Sequence, residues 1–227
     1  LKPILMGFES QQEDSRIDFE NAEPLSGEIE RQFIHLLDEI FPELDGLYIS
    51  DQFEQNGIIT DNIRSFLNKL AGENPGKIIM VDSRKRIGLF SNMILKPNWV
   101  EATRALYPSK DPRDWNYEEL AIIGKNLSEK CNRPVFVTVS DKGVLVCDKE
   151  QQVHIQSAPV SPPLDPVGAG DTFGAAVIAG LSAGASNEEA GALGCLAASV
   201  TVEKLQQTGT ATPEEIFDRY QLMIRKQ

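Results

Sequence analysis

From Ser26 onward the chain moves between two hydrophobic rhythms. Ile29, Phe33, Leu36, Leu37 and Ile40 recur at helical spacing, and Ser26 stands where an N-cap belongs. Residues 46–50 (GLYIS) form a short apolar run of strand character. Ile63, Phe66, Leu67 and Leu70 mark a second helix, closed near Gly72. Residues 77–82 (KIIMVD) read as a buried strand with an acid at its carboxyl end. Residues 93–96 read as another strand, which leads into a helix from Asn98. A further helix covers residues 117–130. Strands follow at 135–140, 144–148 and 152–156, separated by Asp141-Lys142-Gly143 and by Lys149-Glu150. The last third, from Gly170, is rich in Ala and Gly and helical. Ahead of Ser26, residues 2–8 have strand character and residues 15–20 alternate weakly.

Strands alternating with helices predict an α/β fold: a mostly parallel central sheet flanked by helices, with an antiparallel meander on its edge. No Pro/Ser linker or internal repeat divides the chain, so residues 1–227 read as a single domain. That length allows roughly 70–75% of the unfolded surface to be buried. At 41% hydrophobic and 25% charged residues the composition is that of a globular protein. No apolar run reaches the ~18 residues of a membrane span, and no secretory signal opens the chain. A net charge of −12 argues against reading a nucleic-acid backbone, which takes a basic stripe.

The charge is uneven. Residues 1–57 carry 14 acidic and 3 basic side chains, a net of −11, which leaves −1 for residues 58–227. Together with a first residue Leu1 rather than Met, this points to a trimmed or rearranged N-terminus. Three scattered cysteines (Cys131, Cys147, Cys195) and two distant histidines (His35, His154) argue against a zinc site or a disulfide framework. A reducing cytoplasm is the simplest setting.

The densest chemistry lies in Asp165-Pro166-Val167-Gly168-Ala169-Gly170-Asp171-Thr172-Phe173, ahead of an Ala/Gly-rich helix. Small residues at a helix start let a ligand approach the backbone, and the unpaired amides with the helix dipole favour an anion. Asp171 stands where it could accept a proton from a hydroxyl that attacks a phosphoryl group. A tight turn capped by an aspartate explains the same residues equally well. Three look-alike motifs are set aside. Gly168-x-Gly170-x-x-x-Gly174 imitates a dinucleotide fingerprint but follows Pro162-Pro163 rather than a strand. Gly180-Leu181-Ser182-Ala183-Gly184 matches a nucleophile elbow, yet both histidines precede the serine. Residues 72–78 fall one residue short of a P-loop and lack its Ser/Thr.

Asp165 with Gly168-Ala169-Gly170-Asp171 resembles the second signature of the ribokinase-like (PfkB) carbohydrate kinases. Three more segments resemble that family in its order. Lys96-Pro97-Asn98-Trp99-Val100-Glu101 is similar to its N-x-x-E segment. Val137-Thr138-Val139-Ser140-Asp141-Lys142-Gly143 is similar to its nucleotide-side strand and turn. Gly209-Thr210-Ala211-Thr212-Pro213 is similar to the stretch before its last helix. Within the family the chain looks most like the kinase domain acting on a heptose 7-phosphate in heptose-nucleotide synthesis. The residues behind that likeness are Ser15–Glu20, Tyr48-Ile49-Ser50-Asp51 and Val81-Asp82-Ser83-Arg84. Gln52, Ser83-Arg84 and Ser140 depart from that group's pattern. The family's first, glycine-rich signature and its sugar lid have no counterpart, so the chain resembles the carboxyl portion of such a kinase.

The resemblance implies a ribokinase-like fold and ATP-dependent phosphorylation of a sugar or sugar phosphate. Asp171 would be the general base, and after Gly168 the three amides of Ala169, Gly170 and Asp171 would form the anion site that stabilises charge on the transferring phosphate. Asn98 and Glu101 would organise Mg²⁺ and its water; a helix cap with a capping-box glutamate accounts for that pair equally well. Thr138, Ser140, Gly143 and Gly209 would line the nucleotide. Asp165 and the carbonyl of Val167 would hold a monovalent cation such as K⁺, and Arg84 would meet a substrate phosphate. The expected partners are a small-molecule sugar and a second copy in a homodimer, with no nucleic acid and no membrane. Two other readings stay open: a non-catalytic nucleotide- or sugar-binding remnant, and an NAD(P)-linked oxidoreductase built on Gly168–Gly174.

Overall fold

The computed structural model describes residues 4–6, 11–13, 21–109, 111, 116–205 and 209–225. Two short strands, β1 (Ile4–Met6) and β2 (Gln11–Glu13), pair antiparallel as a separate ribbon. β1 falls within the expected strand at 2–8. The QQE of β2 has no apolar pattern to announce it, and residues 14–20, with their weak alternation and family-like stretch, lie outside the described residues.

Helix α1 (Gly27–Ile40) precedes the main sheet, with the Ser26 hydroxyl accepting from the Ile29 amide as expected of an N-cap. The sheet has six strands in sequence order. β3 (Gly46–Asp51), β4 (Ile78–Ser83), β5 (Ile94–Leu95) and β6 (Val135–Thr138) are mutually parallel. β7 (Val144–Cys147) and β8 (Gln152–Ile155) close one edge as the predicted antiparallel meander. Helix α2 (Asp61–Glu73) links β3 to β4; α3 (Trp99–Leu106) and α4 (Tyr117–Cys131) link β5 to β6. Helices α5 (Ala169–Ser182), α6 (Asn187–Thr201) and α7 (Pro213–Ile224) follow the meander.

Alternation along the strands sorts side chains onto two faces. Ile49, Val81, Leu95 and Val137 join the core under α2, α3 and α4. Met80, Ile94, Phe136 and Val146 join the core under α5 and α6. Both faces are therefore covered, the condition under which a parallel sheet is stable. Helix α1 departs from expectation. Of its apolar stripe only Leu37 is buried and Phe33 packs on the core, whereas Ile29, Leu36 and Ile40 are exposed. The helix packs on α2 rather than across a sheet face, so part of the stripe stays about half exposed among the described residues.

The look-alike motifs resolve into ordinary structure. Ser182 of the G-x-S-x-G match ends α5, and its hydroxyl donates to the Asp45 carbonyl. Residues 72–78 run from the end of α2 into β4. Strand β8 stops at Ile155, well before Gly168, so the dinucleotide-like glycines do not follow a strand.

Candidate active site

Helix α5 begins on a left-handed residue, Gly168 (φ 81°), a backbone state that favours glycine. The consequence is chemical. The N-caps of the other six α-helices lend a side-chain acceptor to the first turn, but Gly168 has none to lend. The Ala169 amide donates to the Pro166 carbonyl and the Thr172 amide to that of Gly168. The amides of Gly170 and Asp171 take no backbone carbonyl among the described residues, which leaves two donors at the positive end of the helix dipole. Ala169, one of the three amides expected at the anion site, is thus already engaged. Asp171 is exposed in this first turn, and Thr172 beside it donates to the carbonyl of Gly209.

A cavity of about 510 Å³ opens beside this turn. Ala169 and Gly170 form part of its wall, and Thr138, Ser140 and Gly143 form another part. The strand–turn that carries the last three is rigidly made. The Val139 amide bonds the Gly143 carbonyl, and Gly143 has a φ of 98° with Ile155 and Ser157 backbone packed against it. The rest of the wall is largely apolar, with Ala158, Pro159, Leu164, Phe173, Cys195 and Val202 among its members. Burial pushes the Cys195 thiol up to about 12. A planar apolar body fits such walls while an anionic tail reaches the α5 amides. Of the expected nucleotide residues, Gly209 does not line this cavity; it packs against Thr201 and Lys204 and supports Thr172.

Asn98 and Glu101 open α3 as a capping box. The Asn98 side chain accepts from the Glu101 amide at 2.9 Å, and Glu101 accepts from the Asn98 amide at 2.8 Å. The structural account of this pair is therefore met in full. It does not exhaust Glu101, whose carboxyl is held above the ordinary range by burial. Asp82 adds to that rise, while the Asn98 amide and the cations Lys96 and Arg84 oppose it. The parallel bridge between Asn98 and Thr138 joins this helix start to the cavity wall.

At the carboxyl ends of β3, β4 and β5 lie side chains to which the sequence had assigned no role. The register Val81 to Leu95 sets Asp82 beside Lys96, and Asp82 Oδ2 lies 2.7 Å from Lys96 Nζ. The Tyr48 hydroxyl donates to the same oxygen at 3.4 Å. Burial raises the Tyr48 hydroxyl far above its ordinary value, with Asp82, Asp171 and Glu101 adding to the rise. Those three carboxylates therefore share one electrostatic neighbourhood. On the opposite sheet face Asp51 takes the Ser83 hydroxyl at 2.6 Å and both Nε and Nη2 of Arg86. That clasp ties the loop after β4 to the loop after β3. Arg84, on the same loop, is exposed and donates to Gln52 at 3.0 Å.

Asp165 accepts from the Val167 amide at 3.0 Å, an Asx turn that leads into α5. Among the described residues no three His, Cys, Asp or Glu side chains converge as a metal cage. Glu101 and Asp171 offer hard oxygen donors singly. Such oxygens are the donor type that a hard divalent cation would take.

Residues 91–215 match the family described as pfkB family carbohydrate kinase. A bifunctional protein HldE from Trichlorobacter lovleyi is 29% identical over 211 residues, covering 92% of this chain and 41% of that protein. The bifunctional protein HldE of Nitrobacter winogradskyi is 32% identical over 204 residues, covering 86% and 39%. The chain thus spans about 40% of the length of the curated relatives it matches. Among solved structures, phosphofructokinase-2 from Escherichia coli in complex with potassium superposes with a TM-score of 0.73 at 21% identity, over 95% of this chain and 67% of that one. Ribokinase from Thermotoga maritima gives 0.64 at 22%, over 83% and 61%. These likenesses identify the fold as ribokinase-like. With more than half of its residues inside the family match, the chain belongs to the pfkB family of carbohydrate kinases.

Proposed function

We propose that the protein takes part in ATP-dependent phosphorylation of a sugar or sugar-phosphate hydroxyl. The observation that carries the reading is the α5 start. Two free amides and Asp171 stand beside a largely apolar cavity of about 510 Å³, on a chain whose family is that of carbohydrate kinases. The adenine and ribose occupy the cavity between Ser140–Gly143 and the α5–α6 wall, and the phosphates extend toward Gly170 and Asp171. Asp171 accepts the proton of the attacking hydroxyl. The oxygen–phosphorus bond to that hydroxyl forms as the bond to the leaving ADP breaks. The Gly170 and Asp171 amides stabilise the charge that develops on the transferring group.

Mg²⁺ bound with ATP would supply neutralising charge to the phosphates, and Glu101 is the residue that would hold it through water. Asp165 and the carbonyl of Val167 remain the candidate holders of a monovalent cation. Arg84, tied to Gln52 on a loop clasped by Asp51 and Arg86, would meet an acceptor phosphate. The acceptor we favour is a heptose 7-phosphate, on the resemblance of Tyr48–Asp51 and Val81–Arg84 and on the HldE relatives.

Asp171→Asn should reduce sugar-dependent ADP release by at least 100-fold while ATP still binds. Measuring both on the native polypeptide decides the matter. Undiminished turnover in the variant removes Asp171 from its role. ATP binding by the wild type with no ADP release on any sugar or sugar phosphate favours a non-catalytic binding module.

A further inference from the structure

The turn that sets Ser140 and Gly143 on the cavity wall is held from behind by side chains that the proposed mechanism does not use. Ser140 has a left-handed backbone (φ 52°). That state is uncommon for a residue with a side chain and persists only where the surroundings enforce it. Inside the turn, the Lys142 amide donates to the Val139 carbonyl at 3.0 Å and the Gly143 amide to that of Ser140 at 3.3 Å. The carbonyls of Asp141 and Lys142 are taken from outside it. The Ser157 hydroxyl donates to the first, and His154 Nε2, on β8, lies 2.8 Å from the second. A carbonyl only accepts, so Nε2 carries the ring hydrogen. Tyr117 closes the arrangement from the start of α4. Its hydroxyl oxygen lies 3.2 Å from the same nitrogen, and its ring stands 4.6 Å from the imidazole between centroids. The Lys142 ammonium lies 5.7 Å from the centre of the Tyr117 ring, a cation–π contact. Helix α4, strand β8 and the turn thus meet at one imidazole.

We propose that His154, braced by Tyr117, is a positioning residue that keeps the turn at 140–143 in the shape that receives the nucleoside end of the nucleotide. The inference rests on the nucleotide-binding reading above and adds to it two residues that do not line the cavity. His154 touches no ligand; it acts through the Lys142 peptide. The Tyr117 ring and hydroxyl steady the imidazole, so that its N–H meets the Lys142 carbonyl before ligand arrives. Without that donor the carbonyl turns to water, and Ser140 can relax to a commoner backbone state. The cavity wall then has to be ordered again on binding, which weakens affinity for any ligand that packs on it. Because the loss falls at the nucleoside end, it is the same however many phosphates the ligand carries.

The test varies the donor at position 154 and the phosphate count of the ligand. AMP and MgATP are titrated calorimetrically into the full chain and its His154→Leu and His154→Gln variants, and hydrogen exchange of residues 139–143 is followed in each without ligand. His154 is exposed and belongs to neither buried core, so both variants keep the packed interior. Leucine has no donor, whereas the glutamine amide can donate to the Lys142 carbonyl. The expected result for His154→Leu is a rise of about 5–10-fold in Kd, equal for AMP and MgATP, with faster exchange in the turn. His154→Gln should restore affinity and exchange to within about twofold of wild type. Unchanged affinity in His154→Leu overturns the proposal and leaves Tyr117–His154 as a surface pair. A glutamine variant as weak as the leucine one also overturns it, since the donor is then not what holds the turn. So does a loss confined to MgATP, which would put the effect at the phosphates. A wild-type chain that binds neither nucleotide overturns the nucleotide reading itself and this inference with it.

Discussion

Glu101 shows how a single residue can satisfy a structural rule and still be held at a cost. Its capping box would be met equally by glutamine, which also accepts from the N-cap amide. What glutamate adds is a charge in a half-buried place, and burial raises its pKa above the ordinary 4.5. A carboxyl raised on folding contributes stability that is complete below about pH 4.5 and is lost as pH climbs through the folded value. Glu101→Gln should therefore match wild type near pH 4 and become progressively the more stable of the two toward pH 7, by urea unfolding at each pH. A wild-type advantage that grows with pH would sink this account. A charge held at such a cost suits a cation-facing role. At this scale the sequence singles out Asp171, Thr138, Ser140 and Gly143 because a local motif carries them, and the structure sets the last three on one cavity wall. The sequence assigned no role to Lys96, Asp82 and Tyr48, which stand in family-like segments but meet only across strands. One clue was present: two opposite charges, Asp82 and Lys96, each sit at the carboxyl end of an apolar strand, and parallel pairing sets them side by side.

The elements themselves were legible wherever one face is apolar and a cap marks the start. Ser26, Asn98 and the Asp141–Gly143 turn fall where the pattern placed them, and the meander follows from its short turns. Burial of α1 was not legible, because a stripe says that a face seeks cover and not whether cover exists. Helices α5 and α6 are a third case, with helical pattern but little amphipathicity. Glycines hold them close instead. A Cβ on Gly194 would meet the Phe173 ring at 2.7 Å and Val177 at 2.9 Å, both buried side chains with little room to yield. Gly194→Ala should thus cost about 1–3 kcal/mol through overpacking of the α5–α6 contact. Gly76, with nothing within 4 Å of its added Cβ, provides the comparison; Gly76→Ala should stay within about 0.5 kcal/mol of wild type. Chemical unfolding of the two variants side by side reads the difference, and equal stabilities would refute close packing as the reason for Gly194.

Across the whole molecule the sheet divides two cores, and the proposed nucleotide cavity belongs to the one under α5 and α6. The three cysteines report on this division, since the structure leaves all of them as free thiols. Cys195 lines the cavity wall at 6% exposure, whereas Cys131 and Cys147, at 1% and 0%, belong to the opposite core. Burial raises all three thiols, Cys131 to about 11 and the others to about 12, so modification is slow and speeds up with rising pH. Cys195 can react by direct access through the cavity; the other two wait for the fold to open. A small thiol reagent at pH 8.5 should therefore label Cys195 first. ATP at about 100 times its Kd should slow that site by about 100-fold, because only the unliganded form reacts. Peptide-level mass spectrometry over time gives the three rates separately. Equal rates for all three cysteines, or a Cys195 rate indifferent to ATP, would place the nucleotide elsewhere than between α5, α6 and the meander.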